Sequence, residues 1–148
     1  MLSKLKSEIS ELELDKKVFL LGELKNPFKY LSKADCFVLG SNNEGFPNVL
    51  LEALACGLPI ISTDCESGPR EILSPSSNAL SHFNQKYELV EYGILTPIKN
   101  QEMLTSAMTL IMNNNQLRNS YASKSSLRAN DFSSKKIATQ YLEIICVE

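Results

Sequence analysis

Residues 44–62 read EGFPNVLLEALACGLPIIS, and this stretch carries the strongest structural signal in the chain. An apolar run that ends in Phe37–Leu39 precedes it and is typical of a buried parallel strand. Pro47 suits the first position of a helix, because no N–H group is needed there. Gly57 suits the left-handed position that closes a helix. The sequence therefore predicts a strand–helix–strand unit over 37–63, with parallel strands and a right-handed crossover.

The helix of this unit is predicted to begin near Phe46 and to be amphipathic. Glu52 lies off its apolar face, beside Asn48, and Glu44 lies just before the helix. The side chains predicted to point into the core are Val49, Leu50, Ala53 and Leu54.

The N-terminus of this helix is predicted to bind an anion. Its first backbone N–H groups lack intrahelical partners, and the helix dipole adds partial positive charge, which suits a diphosphate. Gly45 lets an anion approach the backbone closely. Glu44 and Glu52 are then placed to accept hydrogen bonds from a sugar and from a ribose on either side of that diphosphate. The alternative is a helix start whose two acids are merely exposed to solvent.

The setting of the two glutamates has a specific resemblance. Residues 44–59 read E-G-F-P-N-x-x-x-E-A-x-A-C-G-x-P, which is similar to the E-x7-E signature of retaining glycosyltransferases. These enzymes have the two-Rossmann-domain (GT-B) architecture, and the closest resemblance is to group 1, or family 4. The resemblance covers roughly residues 10–145. The further segments that resemble the family, in order, are Val18–Gly22, Tyr30–Asp35, Asp64–Leu73 and Tyr92–Pro97.

The resemblance implies a donor site for a nucleotide diphosphate sugar, expected to be a UDP-sugar. We expect no cofactor besides this donor. It implies that Glu52 binds the ribose hydroxyls and that Glu44 contacts the transferred sugar as the catalytic residue. The implied reaction is transfer to a surface-glycan or lipid-linked acceptor with retained anomeric configuration and without a protein nucleophile. The other donor-binding residues that it implies are Gly45, Phe46, Pro47 and Asn48.

Two further positions have open alternatives. Arg70 follows a predicted strand and either reaches a phosphate or forms a helix-start salt bridge with Glu71 or Glu66. Gly22 and Leu24 either lie near the nucleobase, as the resemblance implies, or form a plain strand-to-loop turn.

The alternation of strands and helices predicts an α/β class, Rossmann-like and three-layered, with a mainly parallel sheet. The four strands predicted are Lys17–Leu21, Asp35–Leu39, one that begins at Pro59, and Tyr92–Thr96. Six helices are predicted. The first has its apolar residues at Leu2, Leu5, Ile9 and Leu12, the second is short and begins at Asn26–Pro27, and the third begins near Phe46. The last three are Asn100–Asn113, Gln116–Asn130 and Ser133–Ile145. A polar excursion is expected over 74–86, and its His82 is expected to be a surface residue.

At 148 residues the chain is expected to form one domain, the donor-binding, C-terminal half of a GT-B fold. In the family this domain begins with two more strands and a Gly-Arg…Lys segment that holds the diphosphate, and an acceptor-binding domain precedes it. Since neither is found before Leu2, we expect a fragment or truncated reading frame that is inactive alone. Its open sheet edges favour a partner chain or a homo-oligomer.

Composition and charge argue against several other classes of function. With 15 basic and 17 acidic side chains the net charge is −2, which argues against nucleic-acid binding. Four cysteines without C-x-x-C spacing and a single histidine argue against a metal site and favour buried, reduced thiols. We expect a cytoplasmic protein, at most peripheral at the inner face of a membrane. The alternatives to a transferase are a nucleotide-sugar-binding subunit that needs a separate acceptor-domain partner, and a non-catalytic α/β interaction module.

Overall fold

A computed structural model describes residues 2–77 and 86–146 of the chain, with four strands in one sheet among them. The strands are β1 (Phe37–Leu39), β2 (Ile60–Thr63), β3 (Glu88–Val90) and β4 (Gly93–Thr96). Their order in the sheet is β1-β2-β4-β3. The pairs β1–β2 and β2–β4 are parallel, whereas β3 is antiparallel to β4. The predicted class, α/β with a mainly parallel sheet, is confirmed.

The predicted helices are present, with small differences at their ends, and a further short helix that was not predicted forms at Pro69–Leu73. They are α1 (Leu2–Glu11), α2 (Phe28–Leu31), α3 (Asn48–Ala55), α4 (Pro69–Leu73), α5 (Gln101–Asn113), α6 (Asn115–Asp131) and α7 (Ser134–Ile145). Asn100 caps α5 as predicted, since its side-chain oxygen accepts a hydrogen bond from the Met103 amide at 3.1 Å. Asn114 caps α6 in the same way.

The unit β1–α3–β2 forms as its sequence predicts, apart from two details. Gly57 has a φ of +76° directly after α3, so it occupies the left-handed closing position. Pro47 is the N-cap of α3 and is extended, with φ −75° and ψ 95°, so the helix begins at Asn48 and not near Phe46. Val49 is 41% exposed, because it lies at the margin of the face that buries Leu50, Ala53 and Leu54.

The core lies on both faces of the sheet, which gives three layers. Adjacent residues of a strand point to opposite faces. Ile60 of β2 therefore packs with the buried residues of α3 and α4, while Ile61 packs with those of α5. The helix α6 joins these layers, because its Ser125 hydroxyl donates a 2.7 Å hydrogen bond to the Leu58 carbonyl, just before β2.

The predicted strand at Lys17–Leu21 is wrong. Residues 18–21 have no regular secondary structure, and their side chains are exposed, Phe19 by 69%. A strand needs a neighbouring backbone to pair with, and within the described residues no backbone hydrogen bond joins residues 19–21 to a strand. The fourth strand of the sheet is instead β3, whose three residues gave too short a sequence pattern to be predicted.

Two helices present their apolar faces to solvent. Neither α1 nor α7 has a buried residue. Leu5 of α1 and Leu142 of α7 are among the exposed apolar side chains. These uncovered faces agree with the predicted need for a partner chain or a second copy, which itself stays a prediction.

The cysteines are free thiols, but only Cys65 is buried as expected for all of them. Cys36 and Cys56 are partly buried, and Cys146 is exposed, because α7 is not covered. Burial raises the pKa of the Cys36 thiol to about 11. Among the described residues, no three His, Cys, Asp or Glu side chains are grouped so that they would hold a metal ion.

Two further expectations concern the membrane and the polar excursion. No helix within residues 2–77 and 86–146 is long and apolar enough to cross a membrane. His82 and most of the expected polar excursion lie outside the described residues.

We expect Ser125→Ala to lower the free energy of unfolding by about 1–3 kcal/mol, because the buried Leu58 carbonyl loses its donor. Urea denaturation measures the change. The control is Ser123→Ala, which removes an exposed hydroxyl from the same helix and should have little effect. Equal stability of the two variants would contradict the role given to the buried hydrogen bond.

Candidate functional site

The segment that leaves β1 is fastened to the end of β2. The Thr63 hydroxyl donates to the Leu39 carbonyl at 3.3 Å and also to the Ser41 carbonyl. The Cys65 thiol donates to the same Ser41 carbonyl at 3.1 Å. These bonds fix the start of the loop Ser41–Pro47 at the carboxyl edge of the sheet, where open α/β sheets bind their ligands.

The second half of this loop rests on the segment that follows β2. The Ser67 hydroxyl donates a 2.7 Å hydrogen bond to the Glu44 carbonyl. Gly68 has a φ of +90°, and a Cβ atom there would lie 2.5 Å from the Gly45 carbonyl oxygen and 2.5 Å from Cδ of Pro47. Glycine is thus required at Gly68 both by backbone conformation and by space. The sequence analysis did not single out Gly68, although the Gly68–Pro69 pair in the segment after β2 was the available signal.

The Glu44 carboxylate lies near the end of β2. Its side chain is half-buried. Burial raises the pKa of the Cys65 thiol, and the negative charges of Glu44 and Asp64 add to the increase. The Glu44 carboxylate is therefore close enough to the segment after β2 for its charge to act on Cys65.

The N-terminus of α3 opens at the same edge. Pro47, its N-cap, makes no side-chain capping hydrogen bond, in contrast to Asn100 and Asn114 at the starts of α5 and α6. The first intrahelical bond runs from the Leu50 amide to the Pro47 carbonyl at 2.9 Å. The amides before Leu50 have no acceptor within the helix, which makes this end of α3 suitable for an anion.

Two more features fit an anion at this position. The space where a Cβ of Gly45 would lie is open, with no atom within 4 Å, so a ligand can approach the backbone there. Phe46 is 44% exposed beside it. Of the candidate donor-binding residues 45–48, Gly45, Phe46 and Asn48 are therefore exposed, whereas Pro47 is buried against Gly68 and is less accessible to a ligand.

Glu52 lies in the second turn of α3, off the face that packs into the core. Its side chain is half-buried. Four residues of helix place it about 6 Å along the axis from Asn48. Within the described residues its carboxylate takes part in no hydrogen bond or ion pair. Of the two acids of the motif, Glu44 thus precedes α3 and Glu52 lies in its second turn.

Arg70 is only 3% exposed and is already paired. Its Nη2 donates to Asp64 at 2.6 Å and to Glu88 at 2.8 Å. Burial lowers the pKa of the guanidinium, but the hydrogen bonds that it donates to the two carboxylates outweigh this effect and raise the pKa. A salt bridge is thus present, with partners other than Glu71 or Glu66. Contact of Arg70 with a donor phosphate stays a prediction.

Gly22 and Leu24 lie in the irregular segment after residue 21. Gly22 is exposed with a φ of +63°, and Leu24 is half-buried. In the part of the chain that the structure describes, no backbone hydrogen bond joins them to the loop Ser41–Pro47. Their proximity to a nucleobase stays a prediction.

A depression of about 310 Å³ lies beside the loop, at the carboxyl ends of β1 and β2. Lys99, in a left-handed conformation with φ +55°, lines it next to the N-terminus of α5. The sequence analysis predicted none of its lining residues as site residues, although Gly40 directly follows a predicted strand. The lining residues are Gly40, Asn42, Thr63, Lys99, Asn100, Gln101 and Leu104.

The family model of glycosyl transferases group 1 matches residues 1–128. The chain therefore belongs to this family.

The sequences of relatives agree with that family. The chain is 39% identical to an uncharacterised glycosyltransferase of Methanocaldococcus jannaschii, over 97% of this chain and 39% of the relative. It is 34% identical to the N-acetylgalactosamine-N,N'-diacetylbacillosaminyl-diphospho-undecaprenol 4-alpha-N-acetylgalactosaminyltransferase of Campylobacter jejuni, over 93% of this chain and 34% of the relative. The chain thus spans between a third and two fifths of the length of these relatives.

A solved structure shows the same fold. The crystal structure of HepE from Anabaena in complex with UDP superimposes with a TM-score of 0.80 at 21% identity. The match covers 97% of this chain and 36% of that one. The fold is therefore that of a GT-B glycosyltransferase domain.

We expect Gly68→Ala to be more destabilising than Gly57→Ala. Both residues have positive φ, so each alanine costs about 1–2 kcal/mol of backbone strain. Only the Cβ at Gly68 would also overlap Gly45 and Pro47, which adds about 1–3 kcal/mol of overpacking. Urea unfolding of the two variants measures the difference, and equal losses of stability would show that the loop does not press on Gly68.

Proposed function

We propose that this chain supplies the donor-binding part of a retaining glycosyltransferase. The enzyme would transfer a sugar from a UDP-sugar to a surface-glycan or lipid-linked acceptor. The observation that carries the proposal is the uncapped N-terminus of α3 at the carboxyl edge of the sheet, with Glu44 before it and Glu52 in its second turn. Family membership supplies the reaction class.

The proposed roles follow the order of the residues along the loop and helix. The free amides at the start of α3 and the backbone of residues 45–48 hold the diphosphate. Glu52, further along the helix, accepts hydrogen bonds from the ribose hydroxyls. Glu44, on the other side of the opening, accepts hydrogen bonds from the transferred sugar and is the catalytic residue of this chain.

The proposed chemistry needs no nucleophile from the protein. The bond between the anomeric carbon and the diphosphate breaks, and the acceptor oxygen attacks the same face of the sugar. The leaving phosphate oxygen takes the proton of the acceptor hydroxyl, and UDP is released. The helix amides stabilise the charge that develops on the leaving diphosphate, which is the electrostatic contribution expected from preorganised donors.

The comparisons support UDP and a lipid-linked acceptor without fixing either. HepE was solved in complex with UDP. The name of the relative from Campylobacter jejuni specifies a diphospho-undecaprenol acceptor. Because the chain spans only part of these relatives, we propose that the acceptor-binding part and the basic residues for the diphosphate belong to other sequence or to another chain.

A second candidate function is a nucleotide-sugar-binding subunit that becomes an enzyme with a separate acceptor-domain chain. The uncovered apolar faces of α1 and α7 and the exposed residues 18–21 favour it. Co-purification of a second polypeptide that confers transfer activity would support this function, and transfer by the purified chain alone would contradict it.

Calorimetric titration with UDP and UDP-sugars tests the proposed donor site. We expect Glu52→Gln to weaken UDP binding by about 1–3 kcal/mol, because a hydrogen bond to a charged group is lost. The matched control is Glu102→Gln, an exposed acid in the first turn of α5, which should leave the affinity unchanged. Unchanged affinity in Glu52→Gln would remove Glu52 from this role. No heat at millimolar ligand from folded protein would favour a non-catalytic α/β module.

The variant Glu44→Gln tests whether Glu44 contacts the sugar or the nucleotide of the donor. If Glu44 contacts only the transferred sugar, the variant should bind UDP normally and the cognate UDP-sugar about tenfold more weakly. The measurement is the ratio of the two dissociation constants in wild type and variant. A loss of affinity that is equal for UDP and UDP-sugar would contradict the assignment.

A further inference from the structure

The candidate site is supported from outside by two residues near the end of α6. Phe46 of the loop packs against Phe132, with ring centroids 5.5 Å apart at an angle of 57°. This tilted arrangement is favourable for aromatic pairs. Phe132 is the C-cap residue of α6, so the position of the Phe46 ring depends on where α6 ends.

Arg128, one turn earlier on α6, holds Phe132 in place. Its guanidinium lies 4.6 Å from the centroid of the Phe132 ring and 5.3 Å from that of Tyr92. The side chain is only 11% exposed, so the attraction between cation and rings is weakly screened. Asp131 neutralises part of its charge through a 3.2 Å ion pair.

The same guanidinium binds the C-terminal end of α4. Its Nε donates to the Ile72 carbonyl at 2.8 Å, and its Nη2 donates to the Glu71 carbonyl at 2.9 Å. Carbonyls in the last turn of a helix have no intrahelical donor, so these bonds complete α4. The other end of α4 begins next to Gly68, on which Gly45 and Pro47 rest.

We propose that Arg128 and Phe132 are positioning residues for the donor-binding loop. Arg128 connects the two surfaces that hold residues 44–47, namely Phe132 against Phe46 on one side and α4 with Gly68 on the other. The proposal rests on the proposed function, since it assigns these residues to the loop that carries Glu44. Neither residue is assigned a contact with the donor, and both act through the loop.

Four variants test this assignment. Arg128→Lys keeps the charge but loses the planar fork that bonds two carbonyls and stacks on rings. Phe132→Leu removes the ring, and Phe132→Tyr restores it. The matched control is Arg118→Lys, because Arg118 lies on the same helix and also donates to carbonyls at the end of a helix, those of Ile111 and Met112 in α5.

Hydrogen exchange of backbone amides is the first readout. In Arg128→Lys and Phe132→Leu we expect the Leu50 amide, whose 2.9 Å hydrogen bond to the Pro47 carbonyl depends on the position of the loop, to exchange about tenfold faster, since the stacking and hydrogen bonds that restrain the loop are lost. The amides of β2 should keep their rates, and Phe132→Tyr and Arg118→Lys should match the wild type. An unchanged rate at Leu50, or equal acceleration at Leu50 and in β2, would overturn the proposal.

UDP affinity is the second readout. Arg128→Lys and Phe132→Leu should bind UDP about five- to tenfold more weakly than the wild type. The loss of affinity should be larger in the variant whose exchange is faster. Faster exchange at Leu50 with unchanged UDP affinity would overturn the positioning role. If wild-type protein bound no UDP, the proposed function would fail, whereas the exchange rates would still decide whether Arg128 and Phe132 hold the loop.

Discussion

The loop that carries Glu44 rests on the backbone of Gly68, at a distance that leaves no room for a side chain. This contact sets the path of the chain between β1 and α3 and therefore the direction in which α3 opens. Thr63, Cys65 and Ser67 add hydrogen bonds along the same seam. The candidate site is thus built between two loops that follow neighbouring parallel strands, which is the usual place for a ligand in an open α/β sheet.

The charged residues near this seam fall into two groups, the buried ion pairs of Arg70 and the two half-buried acids of the motif. Arg70 is buried and bound to Asp64 and Glu88, so its positive charge links the segment after β2 to β3. The acids of the motif, Glu44 and Glu52, remain half-buried at the opening of α3. A site whose positive potential comes from helix amides suits a diphosphate that is bound together with hydroxyl groups.

The part of the protein away from the site is less enclosed. The apolar faces of α1 and α7 and the segment 18–21 are exposed, whereas the sheet and the helices α3 to α6 share a buried core. The family relatives are much longer than this chain. Exposed apolar area of this kind marks surfaces that other protein normally covers, which supports the proposal that acceptor binding belongs to other sequence or to another chain.

Local sequence patterns were sufficient to predict the elements whose hydrogen bonds join residues only a few positions apart in the chain. The sequence alone predicted α3 with its closing Gly57, the Asn100 cap of α5, and the pair of acids around the helix start. Contacts between distant segments were decided only by the tertiary structure. Among the described residues the apolar segment 18–21 pairs with no strand, whereas β3 pairs with a neighbouring strand. Arg70 forms an ion pair with Glu88. Periodicity describes which face of a segment is apolar, but a strand or a buried ion pair also requires a partner, and the position of that partner is a property of the packed chain.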